Sequence, residues 1–223
     1  MITQTVNELL LIAFMAALLH SGACQVGGTM GRTKVTEEQV AALLESEFGG
    51  LFKLDTRTIS PSYIVGDFNG DGTEDIAIPV RLNLQLSTED KTKPPFSFEK
   101  AQGPGPSTLG EQGHESGLTM GDLARYKELP ILVIIHGSMK DRWKNSRPEQ
   151  RFVVVDAWRL GKKVMSLNHG KLKPTPYGDE PQVVEPPRLL GDAILMLDPA
   201  NAGTAVYWDG ARYRWYPVDE PPS

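Results

Sequence analysis

Apolar positions along this chain follow three rhythms, and each predicts a different element. At Val40, Leu43, Leu44 and Phe48 they recur every three or four residues, the stripe of an amphipathic helix. Thr36 with Gln39 three residues on forms a capping box at its start, and Gly49-Gly50 ends it. From Ile76 the rhythm shortens to two: Ile78, Val80, Leu82, Leu84 and Leu86 alternate with other residues, as on a strand. Pro79 interrupts that run. Proline brings no N–H to a ladder, so an edge or a bulge is expected there. The unbroken apolar run at residues 131–135 predicts a buried strand, and residues 152–158 predict the strand after it. Shorter runs at residues 63–65, 164–167 and 189–197 predict further strands, residues 51–59 an extended segment, and residues 123–128 a short helix.

The last two runs, residues 204–208 and 211–216, flank Asp209-Gly210, a pair that favours a type I′ hairpin turn. Val206 and Trp208, with Tyr213 and Trp215, are expected on a core face. Tyr207, Arg212, Arg214 and Tyr216 then form the other face, read either as aromatics stacked under arginines or as a surface for a ligand or glycan. Two stretches lack apolar groups to bury. Residues 89–121 hold Pro94-Pro95, Gly103-Pro104-Gly105-Pro106 and scattered polar residues, and read as a long loop with mobile parts. Residues 171–188 carry Pro174, Pro176, Pro181, Pro186 and Pro187, which exclude regular helix. The expected fold class is α+β: mostly antiparallel β-sheet with an N-terminal helix and long Pro/Gly-rich loops.

The start of the chain has a different character. Residues 9–19 are apolar without interruption, too short to span a bilayer comfortably and suited to the core of a signal peptide. Ser21-Gly22-Ala23 precedes Cys24, the single cysteine among 223 residues, which excludes an intramolecular disulfide. This arrangement resembles the bacterial lipobox, and the resemblance implies that Cys24 is lipidated and becomes the mature N-terminus. Ser21 occupies a position where that family favours leucine, and the leader has Glu8 but no Lys or Arg. Plain secretion with a cut after Ala23, an uncleaved anchor or a misassigned start are the alternatives. The organisation expected is a signal peptide at 1–24, a glycine-containing tether at 25–33 and a single globular domain at 34–223. The formal net charge of −5, without a basic run, leaves no reason to expect a nucleic-acid partner.

The clearest chemistry lies at residues 67–75. Asp67, Asn69 and Asp71 place side-chain oxygens at alternate positions, Gly72 permits a sharp turn, and Asp75 closes the set. Hard divalent cations need many oxygens gathered in this way. In the helix-loop-helix calcium hand the twelfth position is a glutamate; here it is Ile78, and strands rather than helices flank the loop. Residues 65–72 followed by 75–78 resemble the FG-GAP/VCBS signature of integrin-like β-propellers. That resemblance implies calcium held by Asp67, Asn69, Asp71 and Asp75, with Thr73 giving its backbone carbonyl. Only one copy is visible, whereas a propeller needs several blades. A turn that binds nothing is the plain alternative, since turn chemistry alone explains the glycines.

Three histidines invite catalytic readings. His114, beside Glu115, and His169 each stand alone in polar loops. His136-Gly137 after the strand at 131–135 resembles the end of an α/β-hydrolase strand near the oxyanion hole, yet no Gly-x-Ser-x-Gly elbow is present. The expected function is an exported, lipid-anchored, non-enzymatic domain, periplasmic or on the outer surface. It would carry a structural Ca2+ loop and serve as a binding or accessory module for a protein or glycan partner. The alternative is an envelope-associated hydrolase with a site near His136, using aspartates such as Asp156 or Asp192.

Overall fold

The helix marked by the capping box runs from Glu37 to Phe48 (α1) in a computed structural model of the chain. The Thr36 hydroxyl oxygen accepts from Gln39 N–H at 3.3 Å, and the Gln39 side chain accepts from Thr36 N–H at 2.9 Å. Gly49 leaves the helix at φ 59°, a left-handed turn that glycine adopts without a Cβ penalty. The structure describes residues 35–56, 60–84, 87–101, 103, 118–129, 131–139, 143, 146–155, 163–167, 172–176, 183–197 and 203–218. The described residues from Thr36 onward form one compact unit. The expected signal peptide, tether and Cys24 lie outside the described residues, as do His114, Glu115, Asp156 and His169. Among the described residues no helix is long and apolar enough to cross a membrane.

The α+β class is correct, and the β part is two sheets. The first contains β1 (Phe52–Leu54), β2 (Ile64–Gly66), β3 (Asp75–Leu82), β4 (Ser97–Lys100), β5 (Ile131–Ile135) and β6 (Arg151–Val155). Its order is β1-β3-β5-β6-β4, with β2 also on β3. Every pairing in it is antiparallel except β4 with β6. The second sheet contains β7 (Lys163–Leu167), β10 (Ala193–Leu197), β11 (Gly203–Trp208) and β12 (Tyr213–Val218), all antiparallel, in the order β12-β11-β10-β7. Between β7 and β10 in the chain, β8 (Thr175–Pro176) and β9 (Val183–Val184) pair separately.

The two-residue period decides what each face meets. On one face of the first sheet Ala77, Leu132, Ile134, Phe152 and Val154 join Ile194, Met196, Val206 and Tyr213 of the second sheet in a shared core. On the opposite face Phe52 meets Phe48 of α1 and Phe96, with ring centroids 5.4 Å and 6.2 Å away. Glu47 in the last turn of α1 is buried and pairs with Arg151 at 2.8 Å. The Arg151 guanidinium also donates to the Glu47 carbonyl at 3.0 Å and to the Ser146 hydroxyl at 3.0 Å, so this partly buried cation is hydrogen-bonded as well as paired.

Three differences from the sequence reading have local causes. Pro79 is neither at a sheet edge nor in a bulge but inside β3, an interior strand. Beside it, β2 pairs with β3 only as far as Ala77 and β1 begins at Val80. The Pro79 carbonyl accepts from Asp55 N–H at 3.1 Å on that side, so its ring nitrogen faces the gap between β1 and β2, where no ladder bond is required. The stretch 89–121 is not loop throughout: it holds β4 and the start of a second helix, α2 (Met120–Ala124), opened by a Thr119–Asp122 capping box. Phe96 and Phe98 anchor β4, the first in the aromatic group with Phe48 and the second edge-on to Tyr126 at 6.3 Å. The final hairpin turns one residue later than the Asp-Gly pair suggests. Trp208 pairs with Tyr213, Asp209 N–H donates to the Arg212 carbonyl, and Gly210 sits at φ 102°. The Asp209 carboxylate accepts from Ala211 and Arg212 N–H at 2.9 Å and 3.0 Å, which makes it the anchor of the turn instead of its centre.

Candidate metal centre

Residues 67–74 connect β2 to β3, whose antiparallel register runs from Ile64↔Ala77 to Gly66↔Asp75. The loop reverses through Gly70 at φ 79° and Gly72 at φ 83°, conformations that L side chains avoid. Each alternate oxygen donor folds back over the loop. The Asp67 carboxylate accepts from Gly70 and Gly72 N–H at 2.8 Å and 2.9 Å. The Asn69 side-chain Oδ1 accepts from Asp71 N–H at 3.0 Å, and the Asp71 carboxylate accepts from Thr73 N–H at 2.8 Å and from the Thr73 hydroxyl. Partial burial pushes the Asp71 carboxyl up, but hydrogen bonds from Thr73 and Asn69 outweigh it and hold the group below the usual carboxylate range.

Asp75 plays a different part. It is fully buried at 0 % exposure, and its oxygens meet three backbone donors: Phe68 N–H at 2.8 Å, Asn69 N–H at 3.2 Å and Gly137 N–H at 2.7 Å. Burial pushes its carboxyl up to about 7 against the opposing pull of those donors. Asp75 therefore ties both ends of the business of this loop together: it fixes the loop start and fastens it to the end of β5.

The donor set suits a hard cation. Asp67, Asn69 and Asp71 offer oxygens with lone pairs beyond those the N–H groups use, and the side of Gly72 where a Cβ would stand is open. Among the described residues no three His, Cys, Asp or Glu side chains gather as a metal-holding group. A calcium site here would thus draw on the Asn69 amide and the Thr73 carbonyl as well as on carboxylates.

One participant was not assigned to the loop from the sequence. Asp192, weighed there only as a hydrolase aspartate, accepts from Asp67 N–H at 3.2 Å and from the Ser166 hydroxyl at 3.3 Å. Its own N–H donates to the Asp67 carbonyl at 2.6 Å. A Cβ on Gly191 would stand 2.2 Å from the Asp67 carbonyl oxygen, and one on Gly70 would stand 2.3 Å from that of Leu190, so both glycines permit this approach. The only local signal was the Gly191-Asp192 pair just before β10.

His136 lies at the end of β5 and is 7 % exposed. Its Nε2 is 2.7 Å from the Tyr213 hydroxyl, and its ring stands 4.6 Å from Phe152 and 5.3 Å, edge-on, from Trp208. Burial pushes its pKa down to about 4, so it is neutral at physiological pH. Tyr213 N–H donates to Glu99 of β4 at 2.9 Å, and burial pushes that carboxyl up to about 7. On the far face of the hairpin Tyr216 is buried and donates its hydroxyl to the Lys173 carbonyl at 3.1 Å. Arg214 pairs with Asp209. That face is packing for Tyr216 and an ion pair for Arg214.

These features define a class by architecture alone, a helix-covered two-sheet α+β domain with an oxygen-rich loop at the seam between its sheets. Comparison with known proteins finds no matching family model, no matching curated protein and no matching solved structure.

Proposed function

We propose that residues 67–75 hold a calcium ion as a structural clip, in an exported, non-enzymatic domain that acts as a binding or accessory module. The observation carrying this reading is the inward fold of Asp67, Asn69 and Asp71 on a loop whose turn requires Gly70 and Gly72. A bound cation would neutralise two carboxylates held on one short loop, which otherwise repel. A binding role is favoured over hydrolysis because His136 is enclosed by Phe152, Trp208 and Tyr213, with its Nε2 engaged by a hydroxyl. The apolar run ahead of Cys24 supports export, with lipidation of Cys24 as the anchor and a protein or glycan as the partner.

Calorimetric titration with calcium, wild type against Asp71→Ala, tests the metal. Wild type is expected to release or absorb heat and to melt at higher temperature with calcium, gaining about 2.7 kcal/mol when the ion stands at about a hundred times its Kd. Asp71→Ala is expected to lose most of that gain. Neither heat nor a calcium-dependent melting shift in wild type would remove the calcium reading. A mass spectrum of the mature N-terminus that lacks a diacylglyceryl group on Cys24 would remove the lipid anchor.

A further inference from the structure

Resting on the calcium reading, we infer that Asp192 is a positioning residue for the cation loop, through which ion binding is coupled to the seating of the second sheet on the first. Asp75 fastens the loop to its own sheet through Phe68, Asn69 and Gly137. Asp192 fastens it to the other. It stands immediately before β10 and grips the Asp67 peptide from both sides, accepting from its N–H and donating to its carbonyl. The same Asp192 oxygen also takes the hydroxyl of Ser166 on β7. Asp67 is thereby held to two strands of the second sheet, and the orientation of its carboxylate follows the backbone so gripped. The contacts of Asp192 Oδ2 are with Asp67 N–H and the Ser166 hydroxyl, so its action on the loop runs through Asp67.

Closeness at this junction is built into the chain. Gly191 presses on the Asp67 carbonyl and Gly70 on the Leu190 carbonyl, leaving no room for a side chain at either point. A loop held only by its own sheet would need no such double fit. An ion that draws Asp67, Asn69 and Asp71 together stiffens the segment that Asp192 holds. In return, separation of the sheets at this seam loosens the ion's first ligand. The coupling is reciprocal, as linkage requires.

The test compares wild type, Asp192→Ala, Asp192→Asn and, as a remote control, Asp55→Ala, which removes the buried carboxylate that pairs with the partly exposed Arg81. Two readouts are taken: calcium affinity by calorimetry, and hydrogen exchange of the amides of residues 67–73 in metal-free protein. Asp192→Ala is expected to weaken calcium about tenfold or more, the scale of outer-shell partners, and to speed exchange in those amides without metal. Asp192→Asn, which keeps an acceptor oxygen, is expected to recover most of both. Asp55→Ala is expected to lower the melting temperature while leaving affinity and loop exchange at wild-type values. A wild type that binds calcium while Asp192→Ala matches it in affinity and exchange overturns the role of Asp192. Equal weakening by Asp55→Ala also overturns it, since general destabilisation would then suffice. A wild type that binds no calcium overturns the coupling together with the calcium reading, whatever the exchange pattern.

Discussion

Replacing Glu99 by glutamine should make the domain more stable at alkaline pH and leave it nearly unchanged in mild acid. Glu99 reaches from the edge strand β4 to Tyr213 N–H, and burial raises its carboxyl from 4.5 to about 7, with Asp209 adding to the rise and Arg212 opposing it. Between those two pH values the folded chain keeps a proton that the unfolded chain has released, so the folded state binds more protons there. Stability from this group is therefore full below about 4.5, falls as pH rises through the interval, and is lost above about 7. At about 1.4 kcal/mol per pH unit, the full swing is about 3 kcal/mol, and partial contact with solvent lowers it toward about 2 kcal/mol. Glutamine keeps an oxygen for Tyr213 N–H and carries no charge. Urea unfolding of the full chain at pH 5, 6, 7 and 8 should show the Glu99→Gln advantage growing with pH to about 2 kcal/mol. Taking the difference between the two proteins removes the contribution of His136, whose lowered pKa costs stability as pH falls below its usual 6.5 and so runs the other way. A difference that stays flat across pH, or that favours wild type at pH 8, would refute the reasoning.

Two further substitutions probe buried polar contacts elsewhere. Glu47→Ala leaves the largely enclosed Arg151 beneath α1 without its carboxylate, and should cost about 3 kcal/mol, read as a fall in Tm of roughly 6–12 °C by calorimetry; a fall below about 2 °C would show the pair to be dispensable. Tyr213→Phe removes the hydroxyl that meets His136 Nε2 at 2.7 Å and should cost about 1–2 kcal/mol in urea unfolding, an expectation that unchanged stability would defeat.

The helix, the central strands and the glycine turn between β2 and β3 were legible because each depends on neighbours in sequence. Thr36 with Gln39, the alternation after Ile76 and the glycines at 70 and 72 act within a few residues of themselves. What escaped depends on partners far along the chain. Strand β4 carries few apolar residues, and Phe96 becomes meaningful only when Phe48 and Phe52 meet it. The grip of Asp192 on Asp67 spans 125 positions, and nothing near either residue announces it. Arg151 went unremarked in the sequence because its partner, Glu47, comes from the helix end about a hundred positions earlier. Even Pro79 was misjudged for a distant cause, because the break between β1 and β2 that accommodates it is a property of the sheet.

That break has a protective consequence. An interior strand stripped of its neighbours normally presents an uninterrupted row of donors and acceptors, which invites another chain to add itself. If β1 or β2 detaches, β3 offers on that side only short stretches separated by a nitrogen with no proton to give. An intruding copy could zip along one stretch and would then stall at Pro79. A residue that looks like a fault in the middle of a strand thus guards the chain against self-association at the moment its edge is bare.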